Sequence, residues 1–226
     1  MKRVFSLTMS LAVLIFTLVN LVACGTKEQE GMYNINFSAE SPNPKQGKSV
    51  LIISASPRRG GNTDTLCDEF ARGAQEAGAK VEKISLEDYK IDFFREIDTY
   101  MQPDSVAKAT ARDDAHIIIN KMLRADVIVL ASPVYYYNID GQMKTLIDRT
   151  YYAFMQMKDK EFFYITACAD REDASAAGAV EGFRGFVRCL PNPTERGMGK
   201  ALGMGRKGGV ENSVYMQQAY ELGKGV

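Results

Sequence analysis

Residues 54–65 contain the side-chain types that bind an anion. The segment reads SASPRRGGNTDT, with hydroxyls, two arginines, two glycines and an amide, and a stretch with helical spacing follows it. The first N–H groups of a helix have no partner within the helix, and the helix dipole favours negative charge there. Arg58 adds a group that can form a charge-assisted bond to phosphate. The segment therefore predicts a phosphate site, in preference to a capped turn without a ligand.

Two familiar phosphate motifs do not occur at this position. The segment lacks G-x-x-x-x-G-K-[S/T], which argues against an ATP or GTP P-loop. It also lacks G-x-G-x-x-G after the first predicted strand, which argues against a dinucleotide-binding Rossmann site. The phosphate is therefore expected to belong to a different kind of ligand.

A second candidate segment, residues 132–138, reads SPVYYYN and follows an apolar run. Pro133 has no N–H and a fixed φ, so it would turn the chain off a sheet and leave nearby N–H groups free to face a ligand. The three tyrosines offer flat amphipathic faces that could stack on a heterocycle. A tyrosine run at a strand end also occurs as ordinary packing, and the sequence leaves both interpretations open.

Alternating strands and helices position these two segments. Apolar runs and one alternating run predict strands at residues 49–54, 80–86, 126–132 and 161–169. Helical spacing and capping residues predict helices at 63–75, from 113 onward, at 141–154, 174–190 and 211–223. A last strand is expected in the glycine-rich residues 191–209. This order predicts an α/β fold with a parallel sheet, whose ligands bind at the C-terminal strand ends.

Together, the two segments resemble the NADPH-dependent FMN reductase and iron-sulfur flavoprotein branch of the flavodoxin-like superfamily. The resemblance spans about residues 48–226. It rests on Ser56-Pro57-Arg58, Gly61-Asn62-Thr63, Ala131-Ser132-Pro133-Val134-Tyr135, Gln142-Met143-Lys144 and Asp148-Arg149. It implies a flavodoxin-like three-layer sandwich with a five-stranded parallel sheet, and FMN as the cofactor.

The resemblance also implies roles for particular residues. The FMN phosphate would be held by Ser56, Arg58, Asn62 and Thr63. The isoalloxazine would be lined by Pro133, Val134, Tyr135, Tyr136 and Asn138. The loop near residues 166–168 would border the other side of the flavin.

The implied function is an FMN-dependent NAD(P)H oxidoreductase that reduces a quinone, a flavin or a similar small acceptor. NAD(P)H would be the electron donor, and a homodimer is the assembly that the resemblance suggests. The alternative is a lipid-anchored, flavodoxin-like electron carrier that serves a membrane redox partner. No catalytic acid or base is assigned, because bound FMN would itself carry the redox step.

The sequence departs from the family pattern in two places. Ala55 stands where the family usually has glycine. Residues 68–167 contain no cysteine, so the iron-sulfur cluster that some relatives hold after the second strand is excluded at that position.

The N-terminus predicts export to the cell envelope. Lys2 and Arg3 precede a mostly apolar run that ends in Leu21-Val22-Ala23-Cys24, which resembles the lipobox of bacterial lipoproteins. We expect a signal peptide at residues 1–23, lipidation of Cys24, a flexible tether at 24–47 and a flavodoxin-like domain at 48–226. The lipid would anchor the chain on the extracytoplasmic side of a bacterial membrane. An ordinary signal peptide or an uncleaved anchor helix remains open.

Composition excludes several other classes of protein. Lys+Arg and Asp+Glu both number 28, so the chain lacks the basic excess typical of nucleic-acid binders. The hydrophobic fraction of 46% and charged fraction of 25% are ordinary for a globular protein. Four scattered cysteines do not form a disulfide scaffold, and one histidine, His116, leaves little room for a histidine metal site or a Ser-His-Asp triad. We therefore predict no metal site.

Three further residues have a simple interpretation and a functional alternative. Lys144 and Arg149 are expected to be solvated helix charges, although either could attract a dinucleotide phosphate. Cys168 is expected to pack beside the sheet, although it could be a redox thiol.

Overall fold

The computed structural model describes residues 47–96 and 113–226. The strands in these ranges are β1 (Ser49–Ser54), β2 (Lys80–Ser85), β3 (Val127–Pro133), β4 (Glu161–Ala167) and β5 (Thr194–Ala201). The α-helices are α1 (Asn62–Glu76), α2 (Ala115–Arg124), α3 (Gly141–Arg149), α4 (Ala174–Val187) and α5 (Val214–Lys224). None of these helices is long and apolar enough to cross a membrane. The predicted signal peptide, Cys24 and nearly all of the predicted tether lie outside the described residues.

The strands form one parallel sheet in the order β2-β1-β3-β4-β5. This confirms the predicted five-stranded flavodoxin-like sheet. The chain leaves β1 toward β2 on one side and returns to β3 on the other side, so the strand order reverses between β1 and β3. In such sheets a crevice opens beyond the carboxyl ends of these two strands. The two candidate segments begin there, at Ser54 in the last position of β1 and at Ser132 near the end of β3.

Helices cover both faces of the sheet, as the continuous apolar strands require. Alternate residues of β1 point to opposite faces. Val50 and Ile52 belong to a core with residues of α1 and α5, whereas Leu51 and Ile53 belong to a core with residues of α2, α3 and α4. The architecture is therefore the predicted three-layer sandwich.

Two glycines allow α1 and α5 to meet backbone to backbone. A Cβ on Gly73 would lie 2.1 Å from the Tyr220 carbonyl oxygen, and a Cβ on Gly223 would lie 2.1 Å from the Phe70 carbonyl oxygen. No larger residue fits at either position without moving a helix. This contact fixes α1, whose N-terminus carries the predicted phosphate segment.

The helix predicted at 141–154 is wrong beyond residue 149. After Arg149 the chain continues in two short 3₁₀ turns, Thr150–Tyr152 and Phe154–Gln156. The Thr150 hydroxyl donates to the Ile147 carbonyl oxygen at 2.7 Å and satisfies an acceptor at the helix end. The apolar spacing continued into the turns, so the sequence pattern did not mark this end.

The expected last strand is β5, within the glycine-rich stretch. Gly197 and Gly199 have a structural purpose there, because Leu222 of α5 lies over them. A Cβ on Gly197 would be 3.0 Å from Leu222 Cδ2, and a Cβ on Gly199 would be 3.3 Å from Leu222 Cδ1. The glycines therefore let α5 approach the sheet closely.

Candidate functional site

A cleft of about 170 Å³ opens at the carboxyl ends of β1 and β3, where the topology predicts a ligand. Four segments of the chain line it, and two of these follow β4 and β5. The lining residues are Ser56, Arg58, Gly61, Asn62, Thr63, Pro133, Val134, Tyr135, Ala167, Ala169, Met204, Gly205 and Lys207. Among these described residues two are basic and none is acidic, so the cleft favours an anionic ligand.

The N-terminus of α1 forms one end of the cleft and presents free donors. The N–H groups of Asn62, Thr63 and Asp64 have no recorded acceptor in the described ranges, whereas Thr65 N–H donates to Gly61 O at 2.9 Å. The cap residue Gly61 is extended and contributes no side chain. These donors and the helix dipole suit a phosphate group.

The turn before α1 is held by its own hydrogen bonds. The Ser56 hydroxyl oxygen, which is buried, accepts from the Arg58 N–H at 3.2 Å. A Cβ on Gly61 would lie 2.8 Å from the Arg58 carbonyl oxygen, so a side chain at position 61 would push this turn out of place. The Arg58 side chain is exposed at the rim, 3.5 Å from the Gly205 carbonyl oxygen. This contact is a long hydrogen bond from Nη1, and it leaves the other guanidinium N–H groups able to meet an anion at the mouth of the cleft.

Asn62 lies in the cleft wall, but both N–H donors of its side chain already bind the protein. Its Nδ2 donates to the carbonyl oxygens of Met204 and Arg206, both at 2.7 Å, and its Oδ1 accepts from Val210 N–H at 3.3 Å. The amide therefore ties the segment after β5 to the start of α1. In this arrangement the Asn62 backbone N–H, and not its side chain, is available to a ligand.

Residues 135–138 form a two-residue hairpin turn. Tyr135 and Asn138 exchange both backbone hydrogen bonds, at 2.9 and 3.0 Å. Tyr136 and Tyr137 have φ values of 48° and 62°, which residues other than glycine rarely adopt outside such turns. The Val134 N–H also has a partner within the protein, because it donates a hydrogen bond to the Ala167 carbonyl oxygen at 3.0 Å. The expectation that these N–H groups would be free for a ligand is therefore wrong for Val134 and Tyr135.

The hairpin divides the residues that the resemblance assigned to the isoalloxazine. Pro133, Val134 and Tyr135 line the cleft, whereas Tyr136 and Asn138 do not. Tyr136 is fully exposed at the tip, and Asn138 Oδ1 accepts from Ile139 N–H at 2.8 Å. A Cβ on Gly178 of α4 would lie 2.0 Å from the Tyr137 carbonyl oxygen, so the hairpin backbone rests directly on that helix. Flavin contact by Tyr136 and Asn138 stays a prediction.

The segment after β5 contributes lining residues that the sequence did not reveal. Met204, Gly205 and Lys207 belong to the glycine-rich stretch, which has neither helical nor strand periodicity. Its position depends on hydrogen bonds to Asn62, which is more than 140 residues away. The loop after β4 reaches the cleft through Ala167 and Ala169, whereas the buried Cys168 is not among the lining residues.

Neither expectation for Arg149 is met, because this side chain is buried. Its guanidinium forms an ion pair with Asp113 and donates to the Asp92 carbonyl oxygen at 2.9 Å. Burial would raise the pKa of the Asp113 carboxyl, but Arg149 and the N–H groups of Ala115 and Asp92 lower it below its ordinary value. Arg149 thus joins α3 to the start of α2. Lys144 is exposed and pairs with Asp148 on the same helix, as expected of a solvated charge.

Asp140 is a buried carboxyl just behind the hairpin. Its Oδ1 accepts from Met143 N–H at 2.9 Å and caps α3, and its own N–H donates to Ser132 Oγ at 2.9 Å. Its Oδ2 is buried and has no hydrogen-bond partner among the described residues. Burial, with a smaller contribution from the charge of Glu87, raises the pKa of this carboxyl to about 7, although the Met143 N–H and the nearby Ser132 hydroxyl act to lower it.

A larger groove of about 320 Å³ lies beside the start of α3. Its described lining is Leu86, Tyr89, Ile91, Phe93, Gly141, Gln142 and Thr145, and none of these residues is charged. It therefore offers no cation for a phosphate, and we place the candidate site in the smaller cleft.

A family model described as NADPH-dependent FMN reductase matches residues 49–184. The match covers more than half of the chain and includes both candidate segments. The chain belongs to the NADPH-dependent FMN reductase family. The cleft therefore lies in the part of the chain that defines this family, apart from the segment after β5.

Curated relatives match over part of their length. An iron-sulfur flavoprotein from Archaeoglobus fulgidus is 34% identical over 102 residues, which are 45% of this chain and 44% of that protein. The iron-sulfur flavoprotein MJ1083 from Methanocaldococcus jannaschii is 39% identical over 101 residues, 45% of this chain and 51% of that protein. The chain thus spans about half the length of the curated relatives it matches.

Solved structures support the fold. An azoreductase from Bacillus anthracis superimposes with a TM-score of 0.61 at 18% identity, over 79% of this chain and 100% of that chain. The NAD(P)H:quinone oxidoreductase from Methanothermobacter marburgensis gives a TM-score of 0.55 at 16% identity, over 79% and 95%. At this level of identity the similarity shows a shared fold alone.

Proposed function

We propose that the chain binds FMN in this cleft and acts as an NAD(P)H-dependent oxidoreductase that reduces a quinone, a flavin or a similar small acceptor. The proposal rests on the group of hydrogen-bond donors at the carboxyl ends of β1 and β3, where the strand order reverses. Free helix N–H groups, Arg58 and Lys207 converge there without a carboxylate among the described lining residues. Membership of the FMN reductase family supports the same cofactor.

The residues present fit FMN. The N–H groups of the first turn of α1 and the Arg58 guanidinium would hold the phosphate. Pro133, Val134 and Tyr135 would meet the ring system, and the fixed hairpin would orient it. When bound, FMN supplies the redox chemistry by accepting a hydride and passing electrons on.

The size of the cleft determines how much of a bound FMN stays accessible to the electron donor and acceptor. Its volume of about 170 Å³ is below the roughly 300–1,000 Å³ of sites that enclose a drug-sized ligand. The protein would therefore cover FMN only in part and leave an edge open to donor and acceptor. The described lining contains no histidine and no carboxyl group.

The test is cofactor content followed by turnover. Purified full-length chain should be yellow or take up added FMN, with quenching of flavin fluorescence, and should oxidise NADPH anaerobically when a quinone is supplied. A colourless chain that leaves FMN fluorescence unchanged would refute the proposal.

A second candidate function is a lipid-anchored electron carrier, and the N-terminal sequence favours it. A signal peptide at residues 1–23, removed before Cys24, would place the chain in the cell envelope, away from cytoplasmic nicotinamide pools. Residues 1–46 lie outside the described residues, so this part of the proposal rests on sequence. Flavin reduction by a membrane protein, but not by NADPH, would select the carrier. Loss of radiolabelled palmitate incorporation in Cys24→Ser would support the anchor, and equal labelling of both chains would refute it.

A further inference from the structure

We infer that Lys207, in the segment after β5, is a second cationic ligand of the FMN phosphate, and that Asn62 is the positioning residue that holds this segment in place. The inference rests on the proposed function, because it requires FMN in the cleft. It assigns a binding role to a segment that lies outside the residues matched by the family model.

Lys207 lies directly over the turn that begins the phosphate site. Its Nζ donates to the Arg59 carbonyl oxygen at 2.7 Å and is 3.8 Å from the point where a Cβ on Gly60 would stand. The side chain lines the same cleft as Arg58 and Thr63. An ammonium group has three N–H donors, so donation to Arg59 leaves two for a ligand.

The charges around the cleft favour a dianion. Arg59 forms an ion pair with Asp88 outside the cleft. Neither Arg58 nor Lys207 has a carboxylate partner in the part of the chain that the structure describes. A phosphate monoester carries about −1.5 to −2 charges near neutral pH. Two cations and the helix N-terminus therefore balance such a group.

Asn62 fixes the backbone on either side of Lys207. The Asn62 side chain forms hydrogen bonds to the carbonyl oxygens of Met204 and Arg206 and to the N–H of Val210. These partners lie before and after the lysine in the sequence. Met204 N–H also donates to the Cys168 carbonyl oxygen at 2.7 Å, which ties the segment to the end of β4. A long, flexible lysine is thereby attached to a fixed backbone, which lowers the entropy lost when it binds.

The test compares FMN with riboflavin, which has the same ring system and no phosphate. Lys207→Met should weaken FMN binding by about 5- to 30-fold, as for a charge-assisted bond at an exposed site, and change riboflavin affinity less than twofold. Lys207→Arg should retain most of the FMN affinity. Lys158→Met is the matched control, because Lys158 is exposed just before β4, at the amino-terminal ends of the strands and opposite the cleft.

The outcomes separate this inference from the proposed function. If wild-type chain binds neither FMN nor riboflavin, both fail. If wild-type chain binds FMN, only the inference fails when Lys207→Met changes FMN affinity less than threefold, or weakens both ligands equally. A raised KM for NADPH with unchanged FMN affinity would assign Lys207 to the donor and would also overturn it.

A double-variant experiment tests the positioning role of Asn62. If Asn62 acts through Lys207, then Asn62→Ala combined with Lys207→Met should cost less FMN affinity than the two single variants summed. Additive losses would mean that Asn62 acts independently, and would overturn this part of the inference.

Discussion

Asp140→Asn should remove a pH dependence from the stability of the fold. Asp140 is only 1% exposed, and its Oδ2 has no partner among the described residues. The change keeps the shape and the Oδ1 that caps α3, and it removes the possibility of a buried negative charge. Glu87 is the other carboxyl that raises this pKa, and it stays in place in the variant.

The direction follows from proton linkage. The Asp140 carboxyl has a pKa of about 7 in the folded chain and an ordinary value of 3.8 in the unfolded chain. Because the folded state holds the proton more tightly, the stabilising contribution is complete below about pH 4 and is lost as the pH rises through 7. Between pH 5 and pH 8 the expected loss from this one group is roughly 2–3 kcal/mol.

Urea unfolding at pH 5 and pH 8 measures the effect. The wild-type free energy of unfolding should fall between these pH values by roughly 2–3 kcal/mol more than that of Asp140→Asn. Asp148→Asn is the control, because Asp148 is an exposed carboxyl on the same helix. If wild type and Asp140→Asn lose the same stability over this range, then the buried carboxyl does not titrate as we describe.

Three other substitutions follow from contacts in the structure. Asn62→Ala removes three hydrogen bonds and should lower the free energy of unfolding by about 2–4 kcal/mol in urea. Gly178→Ala places a methyl group against the Tyr137 carbonyl oxygen, so it should displace the hairpin and weaken FMN and riboflavin equally in fluorescence titrations. Arg149→Met leaves the Asp113 carboxylate without its guanidinium partner and should destabilise the chain by about 3–5 kcal/mol in the same urea assay.

Each of these variants has a matched control. The control for Asn62→Ala is Asn120→Ala in α2, where the side chain makes no hydrogen bond within the described ranges. The control for Gly178→Ala is Gly185→Ala, also in α4, where an added Cβ would meet nothing within 4 Å. The control for Arg149→Met is Lys144→Met, which breaks an exposed ion pair on α3. The controls should change stability and flavin affinity little. Equal effects in a variant and its control would refute the contribution that we assign to the corresponding contact.

The sequence predicted the parts of the fold that local chemistry determines. The apolar run at β1 and the anion-binding residues before α1 are neighbours in the chain, so both the strand and the turn could be recognised. The cleft lining at Tyr135 was predicted for the same reason, because it follows β3 directly. In all these cases the signal lies within about ten residues.

Features that depend on distant partners could not be predicted. Nothing near Lys207 indicates the cleft, because its segment is placed by Asn62 from the other end of the domain. Arg149 has the spacing of a surface helix charge, and its burial depends on Asp113 from another element. The outward position of Tyr136 follows from left-handed φ values that a tyrosine run does not suggest.

The most direct measurement of the central claim is a crystal structure of the chain grown with FMN. The account predicts the phosphate within hydrogen-bond distance of the N–H groups at the start of α1 and of Arg58, with the ring system against Tyr135. FMN bound in the groove beside Phe93, or a cleft filled by the chain's own side chains, would contradict it.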